Sequence, residues 1–112
     1  MGKFNSKVAG VTHKAPDGTD RQAIIAKYCR PGTPLEAIPE PENKFDENAV
    51  GLWLTAKGWF SSTRYHVGYI SADISDRLSG EIQRGKEVSV IVKDVTGGGS
   101  KKFGLNVSIN VD

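Results

Sequence analysis

The residues best placed to do chemistry lie in Pro39-Glu40-Pro41-Glu42-Asn43-Lys44-Phe45-Asp46-Glu47-Asn48-Ala49-Val50, where a proline-punctuated polar stretch runs into an apolar one. Pro39 and Pro41 exclude helix and cannot donate to a central ladder, while Asn43, Asp46 and Asn48 carry short side chains that bond back to nearby main chain. The stretch reads as a corner. Phe45 is its odd member, a large ring in a polar loop with the Asp46 carboxylate directly after it. From these residues alone the plainer expectation is that Phe45 plugs the end of a core and Asp46 ties the loop; the alternative is a ligand site. Glu40, Glu42, Asp46 and Glu47 raise a third possibility, a magnesium-dependent nuclease or hydrolase. They crowd in a solvent-rich loop where nothing forces one of them to hold a proton, so it ranks last.

Other reactive groups are few. Cys29 is the only cysteine, and His13 and His66 are the only histidines, so Cys and His alone cannot build a four-ligand zinc site and no internal disulfide is possible. Cys29 is expected to be a small buried residue on a helix, since nothing places a histidine beside it. Gly97-Gly98-Gly99-Ser100-Lys101 sits between strands rather than before a helix, which argues against a phosphate loop and ATP hydrolysis. No serine occupies a Gly-x-Ser-x-Gly elbow. No cofactor is called for.

At 112 residues, with 25% charged residues and no apolar run near the length of a membrane span, the chain is expected to be one soluble domain. Its first residues lack an apolar signal-peptide core, which predicts an intracellular, cytoplasmic protein, and a monomer is expected. The net charge of +2 does not argue for nucleic acid by itself. Lys3, Lys7 and Lys14, then Lys57 and Arg64, then Lys101 and Lys102 form three basic segments without acidic neighbours; they make a phosphate-attracting face only if they meet in space.

The elements that must position these residues follow from periodicity. Lys7 to His13 has the alternation of a first strand, bent at Gly10. After the turn at Pro16-Asp17-Gly18, Thr19 and Gln22 suggest a capping box, with a helix from about residue 20 to 29 that turns Ile24, Ile25, Tyr28 and Cys29 inward. Leu35 to Ile38 and Ala49 to Thr55 read as strands, and Ala56 to Arg64 as a long loop in which Trp59 and Phe60 form a lid on the core or, less favoured, an exposed platform. His66 to Ile70 reads as a short strand feeding a helix capped by Ser71, with Ile74, Leu78 and Ile82 as its apolar stripe, Gly80 inside it and Gly85 as its stop. Val88, Val90 and Val92, then Phe103, Leu105, Val107, Ile109 and Val111, predict a hairpin with one wet face. About six strands and two short helices without βαβ rhythm indicate a mainly β fold, a small antiparallel barrel.

Val8-Ala9-Gly10, Arg30-Pro31-Gly32-Thr33-Pro34-Leu35, Asn43-Lys44-Phe45-Asp46-Glu47-Asn48-Ala49-Val50 and Val67-Gly68-Tyr69-Ile70 before a helix resemble the HIRAN domain, in that order, over roughly residues 7 to 111. The resemblance implies an OB-like β-barrel that binds DNA, in studied members gripping a free 3′ end of a single strand. It also implies work beside a helicase or other DNA-processing protein at stalled replication forks or in repair. By this resemblance Asp46 matches an acidic residue that accepts from the terminal 3′-hydroxyl, Phe45 an aromatic that stacks on the terminal base, His13 a second stacking position and Tyr69 a backbone-contacting one. Thr12 and Ala72 stand where the family can carry basic residues, and Lys14, Arg64 or Lys57 are expected to compensate. The expected DNA-binding set is therefore His13, Lys14, Phe45, Asp46, Asn48, Arg64 and Tyr69, in a non-enzymatic binding module. The rival is a protein-interaction domain using Trp53, Trp59 and Phe60.

Overall fold

The computed structural model describes residues 2–112. Six strands close into one antiparallel barrel in the order β1-β4-β3-β2-β5-β6: β1 Gly2–Ala9, β2 Pro34–Pro39, β3 Val50–Lys57, β4 Ser62–Ile70, β5 Val88–Gly98 and β6 Lys101–Val111. Two helices complete the fold, α1 Arg21–Tyr28 and α2 Ala72–Gln83. Alternation along the strands sends Val50, Leu52, Leu54, Val90, Val92, Leu105, Val107 and Ile109 into the interior, where Ile25 of α1 and Leu78 of α2 join them. The mainly β, six-stranded barrel with two helices is the architecture that the periodicity predicts. Among the described residues, no helix is long and apolar enough to cross a membrane.

Closure depends on β1 serving two neighbours. Its first residues, Gly2 to Lys7, pair with β6, and its last, Val8 and Ala9, pair with Ile70 and Tyr69 of β4. Gly68 makes this crossing possible: at φ +154° it adopts backbone that side chains disfavour, and a Cβ there would meet Ala9 O and Val8 Cγ1 at 2.6 Å.

Several boundaries differ from those expected. β1 starts at Gly2 and stops at Ala9, rather than spanning Lys7 to His13, because Gly10 turns at φ +79° and residues 10–13 leave the sheet. Only Ser6 and Val8 of β1 are buried, so its apolar alternation was too sparse to announce the strand before Lys7. The expected loop at Ala56 to Arg64 is a tight hairpin instead. β3 and β4 stay paired to Lys57↔Ser62, and Gly58 N donates to Ser61 O at 2.7 Å. From Lys57 to Arg64 every residue is exposed, so no hydrophobic period marked it. At its tip Trp59 and Phe60 are 97% and 99% exposed, which overturns the lid and leaves the platform.

The capping box is likewise displaced by one residue. Asp20 caps α1, its carboxylate accepting from Gln22 N at 3.0 Å. Freed from that role, the Gln22 amide donates to Val11 O and Phe103 O and accepts from Phe103 N, tying the helix to β6 and to the loop after β1. Cys29 follows the last turn of α1 and is buried as expected, its thiol pushed up to about 11 by burial. Ser71 precedes α2 and Gly85 ends it at φ +85°, both as expected, although the Ser71 hydroxyl bonds to Asp73 rather than to helix backbone. Gly80 has ordinary space for a Cβ in mid-helix, and nothing in the packing requires it.

Candidate nucleic-acid interface

The corner at residues 39–50 holds its shape with its own polar groups. Asn43 Oδ1 accepts from the backbone N–H of both Phe45 and Asp46, at 2.9 and 3.1 Å, and Asp46 Oδ1 accepts from Asn48 N at 2.9 Å. These short side chains make a compact Asx-type bend, as their types predict. Asn48 differs from that expectation, contributing its N–H rather than its amide. The bend leaves no apolar neighbour for Phe45, whose ring is 96% exposed. The expectation that it plugs the core is overturned, because the barrel's interior is filled by strand residues and the polar bend points the ring the other way.

Phe45 and Asp46 form one wall of an open hollow of about 390 Å³. The opposite wall is the loop after β1, with His13 and Lys14, and the floor is the end of β4 with Tyr69. Five of the seven expected residues therefore meet in one place: His13, Lys14, Phe45, Asp46 and Tyr69. Two do not. Asn48 does not line the hollow. Arg64 lines a neighbouring hollow of about 400 Å³, and Glu36 Oε1 accepts from it at 2.6 Å, so the expectation that it lacks an acidic neighbour fails. Glu36 and Arg64 lie close because β2 and β4 flank β3 in the barrel, a neighbourhood not visible along the chain. Arg64 also lies over the Trp53 ring, 5.1 Å from its centroid. The three basic segments do not merge into one hollow: Lys14 lines the first, Arg64 the second, and Lys101 and Lys102 a third beside α1.

One side chain of the hollow was not among the expected residues. Arg21, 97% removed from solvent by its 3% exposure, lines the hollow from the start of α1 and brings a positive charge to it. Its Nε donates to His66 O at 3.2 Å, and its Nη1 to Gly10 O at 3.1 Å and His13 O at 3.4 Å. Its guanidinium lies 5.5 Å from the Tyr69 ring centroid. A signal existed: a cation in the first turn of a helix opposes the dipole, so an arginine there needs a reason. With Thr12 and Ala72 uncharged, Arg21 is a basic group on the floor that the motif did not announce.

Arg21 also fixes the state of His66. Arg21 Nη2 lies 2.8 Å from His66 Nδ1, and a guanidinium only donates, so Nδ1 accepts. Nε2 then carries the proton and donates to Glu40 Oε2 at 2.9 Å. Burial lowers the His66 pKa below the usual 6.5; the Glu40 bond opposes this and the Arg21 charge reinforces it. The neutral ring's contribution to stability is whole above about pH 6.5 and is lost as pH falls below it, because the unfolded chain takes up the proton first. Gly51 makes room for the pair, since a Cβ there would collide with Glu40 Oε2 and stand 2.7 Å from His66 Nε2.

The carboxylates do not form a metal centre. Glu40 is engaged with His66 and Asn43, Asp46 with its own loop, and among the described residues no group of three His, Cys, Asp or Glu side chains is placed to hold an ion.

No curated protein matches the sequence. Among solved structures, the HIRAN domain of human HLTF superposes with a TM-score of 0.65 at 14% identity, covering 98% of this chain and 74% of that one. A protein from Lactobacillus plantarum superposes with a TM-score of 0.65 at 18% identity, covering 96% and 97%. At such identities the likeness concerns the fold. A sequence-family model, that of the HIRAN domain, matches residues 1–112. With the barrel, the Phe45-Asp46 bend and this match in agreement, the chain belongs to the HIRAN domain family, a family of nucleic-acid-binding domains.

Proposed function

We propose that the hollow receives the 3′ end of a single DNA strand and that the protein is a binding module rather than an enzyme, acting in repair or replication-fork processing beside a helicase or other DNA-processing protein. The observation that carries this reading is the Phe45 ring, 96% exposed beside the half-buried Asp46 carboxylate at the rim of a hollow of about 390 Å³. A free aromatic face in that position stacks on any base. A carboxylate has about four lone-pair sites, and Asn48 N–H takes one on Oδ1, so Asp46 retains capacity to accept from a hydroxyl. The same charge repels a terminal phosphate. Lys14 and Arg21 supply the opposite sign for the internucleotide phosphates.

Fluorescence anisotropy with short oligothymidine strands tests the reading. A 3′-hydroxyl strand is expected to bind at least about tenfold more tightly than its 3′-phosphate counterpart, roughly 1.4 kcal/mol, and both are expected to weaken as salt rises. Asp46→Asn is expected to erase the difference. Equal affinities for the two strands in the unaltered protein would contradict the proposal.

A second reading rests on a separate observation, the fully exposed Trp59 and Phe60 at the β3–β4 tip. Paired exposed aromatics suit a protein partner. Trp53 does not join them, because it lies further down the ribbon against His66 and under Arg64. Absence of any oligonucleotide titration would favour this reading.

A further inference from the structure

The two walls of the hollow are separate in sequence, and one chain of hydrogen bonds joins them. Starting on the first wall, the carbonyls of Gly10 and His13 accept from Arg21; Arg21 donates to His66 Nδ1; His66 Nε2 donates to Glu40 Oε2. On the second wall, Asn43 Nδ2 donates to Glu40 Oε1 at 3.2 Å, and Asn43 Oδ1 accepts from the backbone of Phe45 and Asp46. Every link pairs a donor with an acceptor only while His66 keeps its Nδ1 lone pair.

A bulge in β4 makes the arrangement possible. Leu52 pairs with Gly68 but Trp53 with His66, which leaves Val67 as an extra residue. Without it, His66 and Tyr69, three apart, would point to opposite faces of the strand. With it their rings lie 4.7 Å apart, His66 beneath and Tyr69 on the floor of the hollow.

We propose that Arg21 and His66 are positioning residues that hold the His13 wall and the Phe45-Asp46 wall in register, through the His66 ring in its Nε2–H form. Protonation at Nδ1 replaces an acceptor with a donor facing a guanidinium, so the link to Arg21 breaks and the two walls lose their common anchor. The groups that face His66 are Arg21 of α1, Glu40 after β2, Asp17 before α1 and Tyr69 of β4 itself. Glu40 and Asp17 favour the proton, while Arg21 and burial oppose it. The consequence for DNA rests on the end-binding reading; the coupling of the walls does not.

Nuclear magnetic resonance of the free protein between pH 7.5 and 5 tests the coupling. The amides of Phe45 and Asp46 are expected to shift with the same midpoint as the His66 ring. In His66→Gln, whose amide offers an acceptor and a donor but does not titrate, those two amides are expected to lose that transition. Affinity for a 3′-hydroxyl oligothymidine, whose bases do not titrate in this range, is expected to fall about fivefold on acidification in the unaltered protein and less than about twofold in the variant. His13 lines the hollow in both proteins, so the comparison isolates His66. A His66 ring that titrates while Phe45 and Asp46 stay still overturns the proposal. Coupled amide shifts without DNA binding at any pH uphold it and remove the end-binding reading instead.

Discussion

Arg21→Ala is expected to lower the unfolding free energy by about 3 kcal/mol, seen as a fall in Tm of roughly 10–15 °C in thermal denaturation. The magnitude follows from what the side chain satisfies. Its donors serve three backbone carbonyls and the His66 ring, all at or near the buried junction of α1, β4 and the loop after β1. Truncation strands the two buried acceptors, His66 O and His66 Nδ1, where water does not replace the donor, and these stranded groups rather than the lost contacts set the cost. Arg21→Lys is expected to recover only part, because one ammonium cannot present a planar fork to carbonyls on both sides of itself. A fall in Tm below about 3 °C for the alanine variant would show that the guanidinium is not the anchor described.

Phe45→Ala is expected to behave in the opposite way. A ring exposed on nearly all its surface makes almost no folded-state contact, so stability should stay within about 0.5 kcal/mol. Affinity for a single strand should nevertheless fall by about 1–3 kcal/mol, roughly 5- to 150-fold, because the stacking face is removed. Circular dichroism and anisotropy on the same preparation separate the two effects. Loss of stability together with affinity would mean that the ring packs against the barrel.

The barrel was legible in the sequence where one face of a strand is buried. Val90, Val92, Leu105, Val107 and Ile109 alternate without interruption, and β5 and β6 lie where that alternation places them. The ribbon at residues 57–64 was not legible, since all its residues are exposed and cross-strand backbone pairing rather than a buried face holds it. The bend at Asn43 to Asn48 was readable from its Asx residues, yet composition could not decide the direction of Phe45. That depended on whether strand residues already filled the interior.

The candidate site divides along the same line. His13, Lys14, Phe45, Asp46 and Tyr69 come together because local motifs place each at the end of a strand or in a bend. Arg64 goes elsewhere because its partner, Glu36, is two strands away in the barrel and 28 residues away in the chain. The Arg21–His66–Glu40 chain depends on the bulge at Val67 and on the absence of a side chain at Gly51. Neither feature has a sequence period. The one local clue was a cation at the positive end of a helix.

The most direct test of the central claim is a chemical-shift titration with two oligonucleotides identical except at the 3′ terminus. With a 3′-hydroxyl, the largest shifts are predicted at His13, Phe45, Asp46 and Tyr69, and replacing the hydroxyl by phosphate should shrink them together. Shifts that centre on Trp59 and Phe60 or on Lys101 and Lys102, or that are the same for both strands, would contradict a hollow built to hold the end of a strand.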